Sequence, residues 1–410
     1  MKTTLKLLVF FFAVGGMASA QVAPAATGPG GPTAGSKLNY ALRYSESAQF
    51  ITGQNSWQTA TASGSLNYAS GNERSPFSLE YGGGYNWILN GPAYDTGQFH
   101  HLFLSQGAVF RRWNFTVSDS VSYLPMSPTI GFSGIAGIGE PIGTPNPAPP
   151  TSQTILALNT HAVENLADGE VAHEFSHATS LSAGGSSGVL RYPDGNGLDT
   201  NTATGKATVT RHLNGRNTLF GTYQYSDFSY PGYNLDIQTN TGYLGYRYRW
   251  TRDLESSISA GPQWVSGSNA AVVPSSTNLA MDANIDYRLR FTSIGANYDR
   301  GTNGGAGYMF GSRIDSVSGH FSRQFGMNMT VDLTGGYQRT AGLNDSATIS
   351  GKFGGAEATW RLGRNVIVFA NYTGTDQSST STLPTNALGA LMQTLGFGVG
   401  YSPRGMNRTR

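Results

Sequence analysis

Cysteine is absent from the 410 residues of this sequence, and charged residues are scarce. Without cysteine the chain has no disulfide, no thiolate metal site, no catalytic thiol and no lipidated N-terminal cysteine. Asp, Glu, Lys and Arg make up only 12% of the residues, whereas about 25% is usual for a soluble domain. The formal net charge of +2 leaves no basic stripe that could neutralise phosphates. We therefore expect no nucleic-acid partner.

Long apolar runs are also missing. The N-terminus combines Lys2 and Lys6 with an apolar run at 7–14 and the small residues at 18–20. These features are the three regions of a secretory signal peptide, and we expect cleavage before Gln21. The apolar run is too short to cross a bilayer, and no later segment approaches the roughly 20 apolar residues of a membrane helix. If the chain lies in a membrane, the sequence predicts that it does so as a barrel of strands.

Glycine and tyrosine are abundant, at 55 and 21 residues, and the aromatic residues recur at regular spacing, which speaks against disorder. The hairpin at 241–264 shows the pattern most clearly. In its first arm Leu244, Tyr246, Tyr248 and Trp250 occupy every second position, and polar residues or glycine occupy the alternate ones. Period two indicates a strand. Aromatic residues at the strand ends, with a polar opposite face, are typical of a strand between lipid and water.

The same alternation recurs along nearly the whole chain after residue 37. We predict an all-β fold, a transmembrane antiparallel up-and-down β-barrel of about 18 strands, with short periplasmic turns and longer outer loops. The predicted organisation is a signal peptide at 1–20, a flexible periplasmic lead-in at 21–37, the barrel at 38–402 and a periplasmic C-terminal tail at 403–410. A Gly- and Pro-rich insertion at 125–154 is too long for an ordinary hairpin loop. It either caps the pore from outside or folds inward.

The last arm of the pattern carries a resemblance to a known class of proteins. Leu395, Phe397, Val399 and Tyr401 alternate with glycine and polar residues. This arm resembles the C-terminal strand by which Gram-negative outer-membrane β-barrels are recognised for assembly, although here nine residues follow the final aromatic. With the leader and the repeated arms, the chain resembles porin-like outer-membrane proteins over nearly its whole mature length. No short motif selects a subfamily.

The resemblance implies a location in the cell outer membrane, with outer-membrane lipid, lipopolysaccharide and the barrel-assembly machinery as partners. It also implies passive diffusion of small hydrophilic solutes through the barrel, with sugars as one candidate class. Porins often form homo-oligomers, and no feature of this sequence demonstrates one. Export of a polysaccharide, or an adhesion or structural barrel without an open pore, is the alternative function. We expect no enzyme activity and no cofactor.

Charged residues on the predicted polar faces are the candidates for the pore lining. They are Arg43, Lys206, Arg247, Arg249, Asp282, Asp286, Arg288, Arg290, Asp332, Glu357 and Arg361. Adjacent arms could bring opposite signs together, so that the charges pair across a water-filled lumen. Alternatively, they form basic and acidic walls that orient passing solutes. The signs are too mixed to predict a preference for anions or cations.

Two enzyme hypotheses must be weighed against this interpretation. His173, Glu174 and His177 form an HExxH motif, which binds zinc when it lies on a helix. The flanks continue as strand arms and no third ligand follows at metzincin spacing, so we expect no metal site and treat a zinc protease as a remote alternative. A Ser/His/Asn hydrolase would draw on His100, His101, His161 or His212, but their spacing selects no nucleophile.

Overall fold

A computed structural model describes residues 37–51, 56–70, 72, 74–90, 97–124, 161–195, 197–305, 309–326, 328–344, 347–380 and 391–403. These residues form 18 strands. They are β1 (Lys37–Ile51), β2 (Trp57–Ala69), β3 (Phe77–Asn90), β4 (Gly97–Phe110), β5 (Trp113–Leu124), β6 (Ala162–Ser176), β7 (Thr179–Arg191), β8 (Thr200–His212), β9 (Asn217–Tyr230), β10 (Leu235–Arg249), β11 (Leu254–Gly267), β12 (Ser276–Leu289), β13 (Thr292–Asn303), β14 (Ser312–Phe325), β15 (Met329–Gly342), β16 (Thr348–Leu362), β17 (Val366–Ser379) and β18 (Met392–Tyr401).

The strands close into one antiparallel barrel. Each strand pairs with its neighbours along the chain, and β1 pairs with both β2 and β18, with Leu42 opposite Tyr401. Closure satisfies the backbone groups that an open sheet would leave at its edges. The predicted fold class and strand number are therefore confirmed. In the described part of the chain, no helix is long and apolar enough to cross a membrane.

The two faces of each strand differ as the alternation predicts. On β10, Leu244 and Tyr246 point outward and are 72% and 38% exposed, whereas Thr239 and Thr241 on the inward face are nearly fully buried. The register keeps this division across neighbouring strands, because Tyr246 lies opposite Leu219 and Ile258, which are also outward and exposed. A one-residue slip would reverse the faces, so the pattern fixes the register.

Short turns join the strands at one end of the barrel, and polar side chains stabilise them. The Asn214 side-chain oxygen accepts hydrogen bonds from the backbone N–H groups of Arg216 and Asn217. Thr251 does the same for the turn between β10 and β11. Such side-chain to backbone bonds are the reason that Asn, Ser and Thr favour turns. Most of the longer connections lie at the opposite end, called here the loop end, although the β2–β3 connection at 70–76 is at the short-turn end.

The strands are strongly tilted. Leu38 lies at the short-turn end of β1. From strand to strand, each successive cross-strand partner lies closer to the loop end, and the path reaches Gln238 at the loop end of β10. The path runs through Tyr68, Leu79, Leu104, Asp119, Ala167, Ser187, Ala203 and Asp227. This stagger is the geometry of a barrel whose strands lie about 35–45° from the axis.

Outward-facing aromatic side chains form two bands around the barrel. Phe110, Trp113, Phe175, Trp250 and Trp360 lie toward the short-turn end and are exposed. Phe50, Tyr85, Trp87 and Trp264 lie toward the loop end. Amphipathic rings concentrate where hydrocarbon meets water, so the two bands mark the borders of an apolar belt.

Candidate channel and its constriction

The inward face of the barrel carries nearly all the predicted lining residues. The register places all but one of them opposite the outward aromatic face: Arg43, Lys206, Arg247, Arg249, Asp282, Asp286, Arg288, Asp332, Glu357 and Arg361. The exception is Arg290, for which the strand assignment was wrong. Strand β12 ends at Leu289, and Arg290 lies in the turn with its guanidinium 4.8 Å from the Phe291 ring centroid.

Inward-facing glycines let large rings lie flat against the wall. Gly245 lies opposite Phe220 in the ladder, and a Cβ at Gly245 would lie 2.2 Å from that ring. The same inward pairing joins Gly84 to Phe99, Gly336 to Phe353 and Gly398 to Phe369. An aromatic ring over a strand glycine restores packing that the glycine lacks. The pairs explain how aromatic side chains fit inside the barrel without projecting into its centre.

The seam between β1 and β18 holds a buried cation. Arg43 is only 6% exposed. Its guanidinium carbon lies 3.7 Å from the Phe369 ring centroid, and its Nη2 lies 4.0 Å from Glu357 Oε1. Gly398 makes room for this arrangement, because a Cβ there would lie 2.2 Å from the Phe369 ring and 2.5 Å from the Tyr44 carbonyl oxygen. The strand that closes the barrel is therefore packed from inside by an ion pair and a ring.

Carboxylates outnumber cations on the inward face of the described strands. The cations are Arg43, Lys206, Arg247, Arg249, Arg288 and Arg361, and the carboxylates include Glu80, Glu164, Asp168, Glu170, Glu255, Asp282, Asp286, Asp299, Asp332 and Glu357. Most of the arginines lie near the short-turn end, where Arg247 and Arg249 pair with Glu255 at 3.5 and 3.2 Å.

Farther along the lumen the two cations are paired and several carboxylates are not. Lys206 lies 3.3 Å from Glu170, and Arg43 is paired with Glu357 as described above. Asp282 stands directly opposite Asp299 in the register, and no ion pair to either is found among the described residues. The middle of the lumen therefore carries a net negative field, which the sequence-based list had not indicated.

Several of these carboxylates were missed from the sequence, although the signal was present. In β13, Ile294 and Tyr298 alternate as outward residues, which places Asp299 inward by parity alone. In β6, Glu164, Asp168 and Glu170 share the inward face, since Val163 and Val171 lie on the other one. Long polar segments with few large apolar residues hide this alternation.

The β13–β14 hairpin leaves the wall near the loop end and bends into the lumen. Pairing of β12 with β13 ends at Met281 and Arg300, whereas β13 and β14 stay paired to the tip. The Thr302 hydroxyl donates to Gln263 Oε1 at 2.7 Å, across the unpaired part of β12. Arg313 Nη1 donates to Asn278 Oδ1 at 3.3 Å. Because Gln263 and Asn278 point inward, these bonds hold the hairpin on the lumen side.

A single buried tyrosine ties down the hairpin tip, whose described part is 301–305 and 309–312. Tyr230 at the end of β9 is 0% exposed. Its hydroxyl donates to the Gly304 carbonyl and accepts from the Gly311 N–H, both at 2.8 Å. Gly305 and Gly311 have φ values of +73° and +64°, so the tip needs glycine at both positions. One phenol thus satisfies backbone groups on both arms of the tip.

The tip also packs against opposite sides of the ring of strands. Met309 joins one apolar cluster with Leu190 and Tyr192 beside β7 and Ile349 on β16. Strands β7 and β16 lie on opposite sides of the ring in the strand order. Burial raises the pKa of Tyr192 above its ordinary value, so its phenol stays neutral. The hairpin tip therefore narrows the mouth of the barrel at the loop end.

A second cluster completes this constriction. It comprises Phe228, Tyr230, Leu235, Ile237, Val265 and Val273, with Leu198, Val272, Phe310 and Leu343 packed against it. These residues come from the ends of β9, β10 and β11 and from four of the connections at the loop end. The predicted insertion at 125–154, which could also have folded inward, lies outside the described residues.

The HExxH segment has strand and turn geometry. His173 points outward at the aromatic band, with its ring 4.2 Å from Trp113 and 4.7 Å from Phe175 between centroids. Glu174 has the opposite parity, and His177 lies in the turn. A zincin site requires both histidines on one helical face, and the described residues contain no cluster of three or more metal-binding side chains. The segment lacks the local geometry of a zincin.

The other histidines occupy separate places. His100 points outward and bonds the Tyr81 hydroxyl at 2.9 Å. His101 points inward, with Nδ1 2.9 Å from the Ser122 hydroxyl, but its buried Nε2 has no hydrogen-bond partner among the described residues. His161 binds Asp194 at 2.6 Å, and His212 binds Thr218 at 2.9 Å. His101 and Ser122 therefore lack the carboxylate or amide that would complete a hydrolase triad.

A closed ring of 18 strands, apolar outside and polar inside, is the architecture of porin-like outer-membrane β-barrels. No protein-family model matches this chain, and no curated protein sequence matches it. Similar solved structures include OpdL of Pseudomonas aeruginosa, with 13% identity, a TM-score of 0.47 and coverage of 90% of this chain and 99% of that one.

Two further solved structures have comparable values. OccK2 (OpdF) of Pseudomonas aeruginosa, also solved in complex with glucuronate, has 13% identity and a TM-score of 0.48, with coverage of 89% of this chain and 98% of that one. OccAB3 of Acinetobacter baumannii has 10% identity and a TM-score of 0.45, with coverage of 90% and 98%. The closed ring of 18 strands and the different outward and inward faces define the class of this barrel.

Proposed function

We propose that this protein is an outer-membrane channel through which small hydrophilic solutes diffuse passively. The observation that carries the proposal is the closed ring of 18 strands with a polar inward face. Barrels of about 16–18 strands are wide enough to enclose an aqueous channel, unlike eight-stranded barrels, which their own side chains fill. The flat aromatic rings over inward glycines support an open lumen, because they keep bulky groups at the wall.

The constriction sets the size limit of this proposed channel. The β13–β14 tip narrows the mouth at the loop end, and the charged residues lie below it on the inward face. We propose that the inward-facing candidates line the solute path, with the arginines at the short-turn mouth and the unpaired carboxylates deeper in the lumen. Solutes would be sorted by size at the tip and by charge below it.

We also propose how the chain reaches its membrane. The leader at 1–20 would direct export and be removed before Gln21, and the β18 strand would be recognised by the barrel-assembly machinery. The two aromatic bands and the apolar belt between them support embedding in the outer membrane next to lipopolysaccharide. Cell fractionation with N-terminal sequencing of the mature chain tests the leader and the location together.

Single-channel recording tests the channel itself. The full chain is purified or refolded in detergent, its folding is verified by heat-modifiable gel migration, and it is inserted into planar bilayers. We expect stable conductance steps, with reversible block by those hydrophilic solutes that enter the lumen. Sugars of increasing size serve as probes of the constriction. Folded protein that inserts but leaves the bilayer silent would overturn the channel proposal and favour an adhesion or structural barrel.

A further inference from the structure

Arginine side chains are concentrated at the short-turn end of the barrel. Most of the connections at this end contain an arginine. Arg211 and Arg323 add to them from the outward face of the adjoining strands, because Arg211 lies opposite the outward Leu219 and Arg323 has the parity of the outward Phe325. All of these side chains are exposed. We call them the arginine ring: Arg74, Arg111, Arg112, Arg211, Arg216, Arg252, Arg290, Arg323 and Arg364.

The arginine ring has few carboxylates to balance it. Among the described residues of the short-turn connections, Asp253 carries the one carboxylate. No member of the ring has an ion pair within the described part of the chain. Arg112 donates to the Phe175 carbonyl at 3.3 Å, which positions the guanidinium without neutralising it. The net charge of +2 did not indicate this ring, because the balancing carboxylates lie in the lumen and toward the loop end.

The loop end has no comparable ring. In the sequence, none of the connections at that end contains lysine or arginine. On the strands, the outward cations of the loop half are accompanied by at least as many carboxylates. By parity these cations are Arg191, Arg300, Arg313, Arg339 and Lys352, and the carboxylates on the strands and connections there include Asp194, Asp199, Asp227, Asp236, Asp315 and Asp376. The outer surface of the barrel is therefore strongly basic at one end only.

The arginine ring lies beside the aromatic band of the short-turn end. The Arg290 guanidinium carbon is 4.8 Å from the Phe291 ring centroid, and that of Arg323 is 5.1 Å from the Phe325 ring centroid. Aromatic bands mark the border between hydrocarbon and water. The guanidinium groups therefore lie at the depth of the lipid headgroups.

The chemistry and the distribution of the ring both favour lipid phosphate as its ligand. Its members are arginines, whose planar guanidinium can hold two phosphate oxygens at once. They are spread around the barrel from the β2–β3 connection to the β16–β17 connection, and lipid surrounds a barrel on every side, whereas a protein partner contacts one sector. Arg211 and Arg323 also face outward into the bilayer, where a cell-wall polymer below the membrane does not reach.

We propose that the arginine ring binds the phosphate groups of anionic phospholipids in the leaflet at the short-turn end. Cationic side chains at a membrane surface attract anionic headgroups, and a zwitterionic headgroup is a weaker ligand because its ammonium group offsets the phosphate charge. The charges at the loop end are balanced, so no such preference is expected there. This inference rests on the proposed membrane location, but it does not depend on whether the channel conducts.

Tryptophan quenching in lipid vesicles tests the two ends of the barrel separately. The full-length protein is reconstituted into mixed vesicles of phosphatidylglycerol and phosphatidylcholine, and one of the two lipids is brominated so that it quenches nearby tryptophans. Trp87→Phe/Trp264→Phe leaves outward tryptophans only at the short-turn end, whereas Trp113→Phe/Trp250→Phe/Trp360→Phe leaves them only at the loop end.

The measured quantity is the binding constant of phosphatidylglycerol relative to phosphatidylcholine. The buried Trp57 is common to both proteins, so it does not distinguish them. We expect a preference for phosphatidylglycerol of about threefold or more at the short-turn end and a value near one at the loop end. Salt at about 1 M, where the screening length is roughly 3 Å, should bring the first value close to one.

A pair of charge-matched variants assigns the preference to the arginines. Arg252→Gln/Arg364→Gln removes two charges of the ring beside the retained tryptophans and should lower the short-turn preference by about twofold or more. Arg339→Gln/Lys352→Gln is the matched control, because it removes the same charge from the loop half of the outward face. The control should leave the short-turn preference unchanged. Heat-modifiable gel migration verifies that both variants fold.

Several results would overturn this proposal. One is an equal lipid preference at the two ends, and another is an equal loss of preference in the arginine variant and its control. Arginine-dependent sedimentation of the barrel with purified peptidoglycan, together with equal lipid preferences, would assign the ring to the cell wall instead. A folded barrel that inserts into no vesicle would contradict the proposed membrane location and this inference with it, whereas insertion without lipid preference would overturn this inference alone.

Discussion

Removal of the Tyr230 hydroxyl should loosen the constriction without changing the barrel. The Tyr230→Phe variant keeps the ring, which packs at 5.3 Å against Phe310, and deletes only the oxygen that bonds both arms of the β13–β14 tip. Gly304 would lose a donor to its carbonyl, and Gly311 would lose the acceptor for its N–H. The Tyr230 side chain that bonds the Gly304 carbonyl and the Gly311 N–H is fully buried.

The size of the expected effect follows from the Gly304 carbonyl and the Gly311 N–H, which both lose their hydrogen-bond partner. A buried polar group without a hydrogen bond costs about 1–3 kcal/mol, and relaxation of the tip lets water satisfy part of that demand. A net loss of about 1.5–3 kcal/mol from the closed position would raise the population of a displaced tip by roughly 10- to 150-fold. The strand ladder below the tip is untouched, so the free energy of unfolding of the barrel itself should change little.

Single-channel recording measures this directly. Tyr230→Phe should show a higher mean conductance or frequent transitions to a larger open level. Sugars that are too large to enter the native channel should enter and block the variant. Tyr233→Phe is the matched control, because Tyr233 contacts the same Phe310 ring at 4.8 Å but is 60% exposed. Equal traces for the native protein and Tyr230→Phe, with both correctly folded, would refute the idea that this hydroxyl holds the tip.

The opposite perturbation locks the tip in place. A Cβ at Gly304 would lie 3.3 Å from Cγ2 of Thr200, so cysteines at these two positions are close enough for a disulfide. The sequence has no other cysteine to compete. The oxidised Gly304→Cys/Thr200→Cys protein should lose any fluctuation to larger levels, and dithiothreitol should restore it. Fluctuations of the same frequency in the oxidised protein would show that the tip is not the moving part.

The remaining predictions concern the lumen charges and the closing seam. Neutralising the opposed carboxylates with Asp282→Asn and Asp299→Asn should lower the preference for cations, measured as the reversal potential in a potassium chloride gradient; anion preference in the native channel would contradict the assigned field. Gly398→Ala forces a methyl group against Phe369 and a backbone oxygen, so it should destabilise the barrel by about 1–3 kcal/mol. Gly82→Ala, whose Cβ meets nothing within 4 Å, should be nearly neutral in the same urea-unfolding assay.

The barrel could be predicted because the two faces of each strand meet different surroundings and therefore carry different residue types. Lipid outside selects residues such as Leu244 and Trp250, and the polar interior selects residues such as Thr241 and Arg247, so period two survives along the chain. Turn residues such as Asn214 then mark the boundaries. Arg290 was wrongly assigned to the inward face because the alternation of the sequence continues past Leu289, where the strand ends.

The constriction could not be predicted in the same way. The tip is one of several Gly-rich connections, and nothing local distinguishes it from those that stay at the rim. Its inward position depends on Tyr230, which is distant from Gly304 and Gly311 in the sequence, and on Gln263 in another hairpin. Contacts between distant segments are invisible to periodicity, since each partner is an ordinary strand residue in its own context. The role predicted for the 125–154 insertion stays a prediction.

The hairpin tip proposed to select solutes by size and the carboxylates proposed to select them by charge are physically separate in this barrel. The apolar clusters that hold the tip lie at the loop end, whereas Asp282 and Asp299 belong to the ladder below it. Because Tyr230 anchors the tip through the backbone of Gly304 and Gly311, its substitution changes width with no change of charge. Neutralising the aspartates changes the field with no change of contacts at the tip. The two variant sets should therefore act additively on conductance and on ion preference, as expected for groups that share no partner.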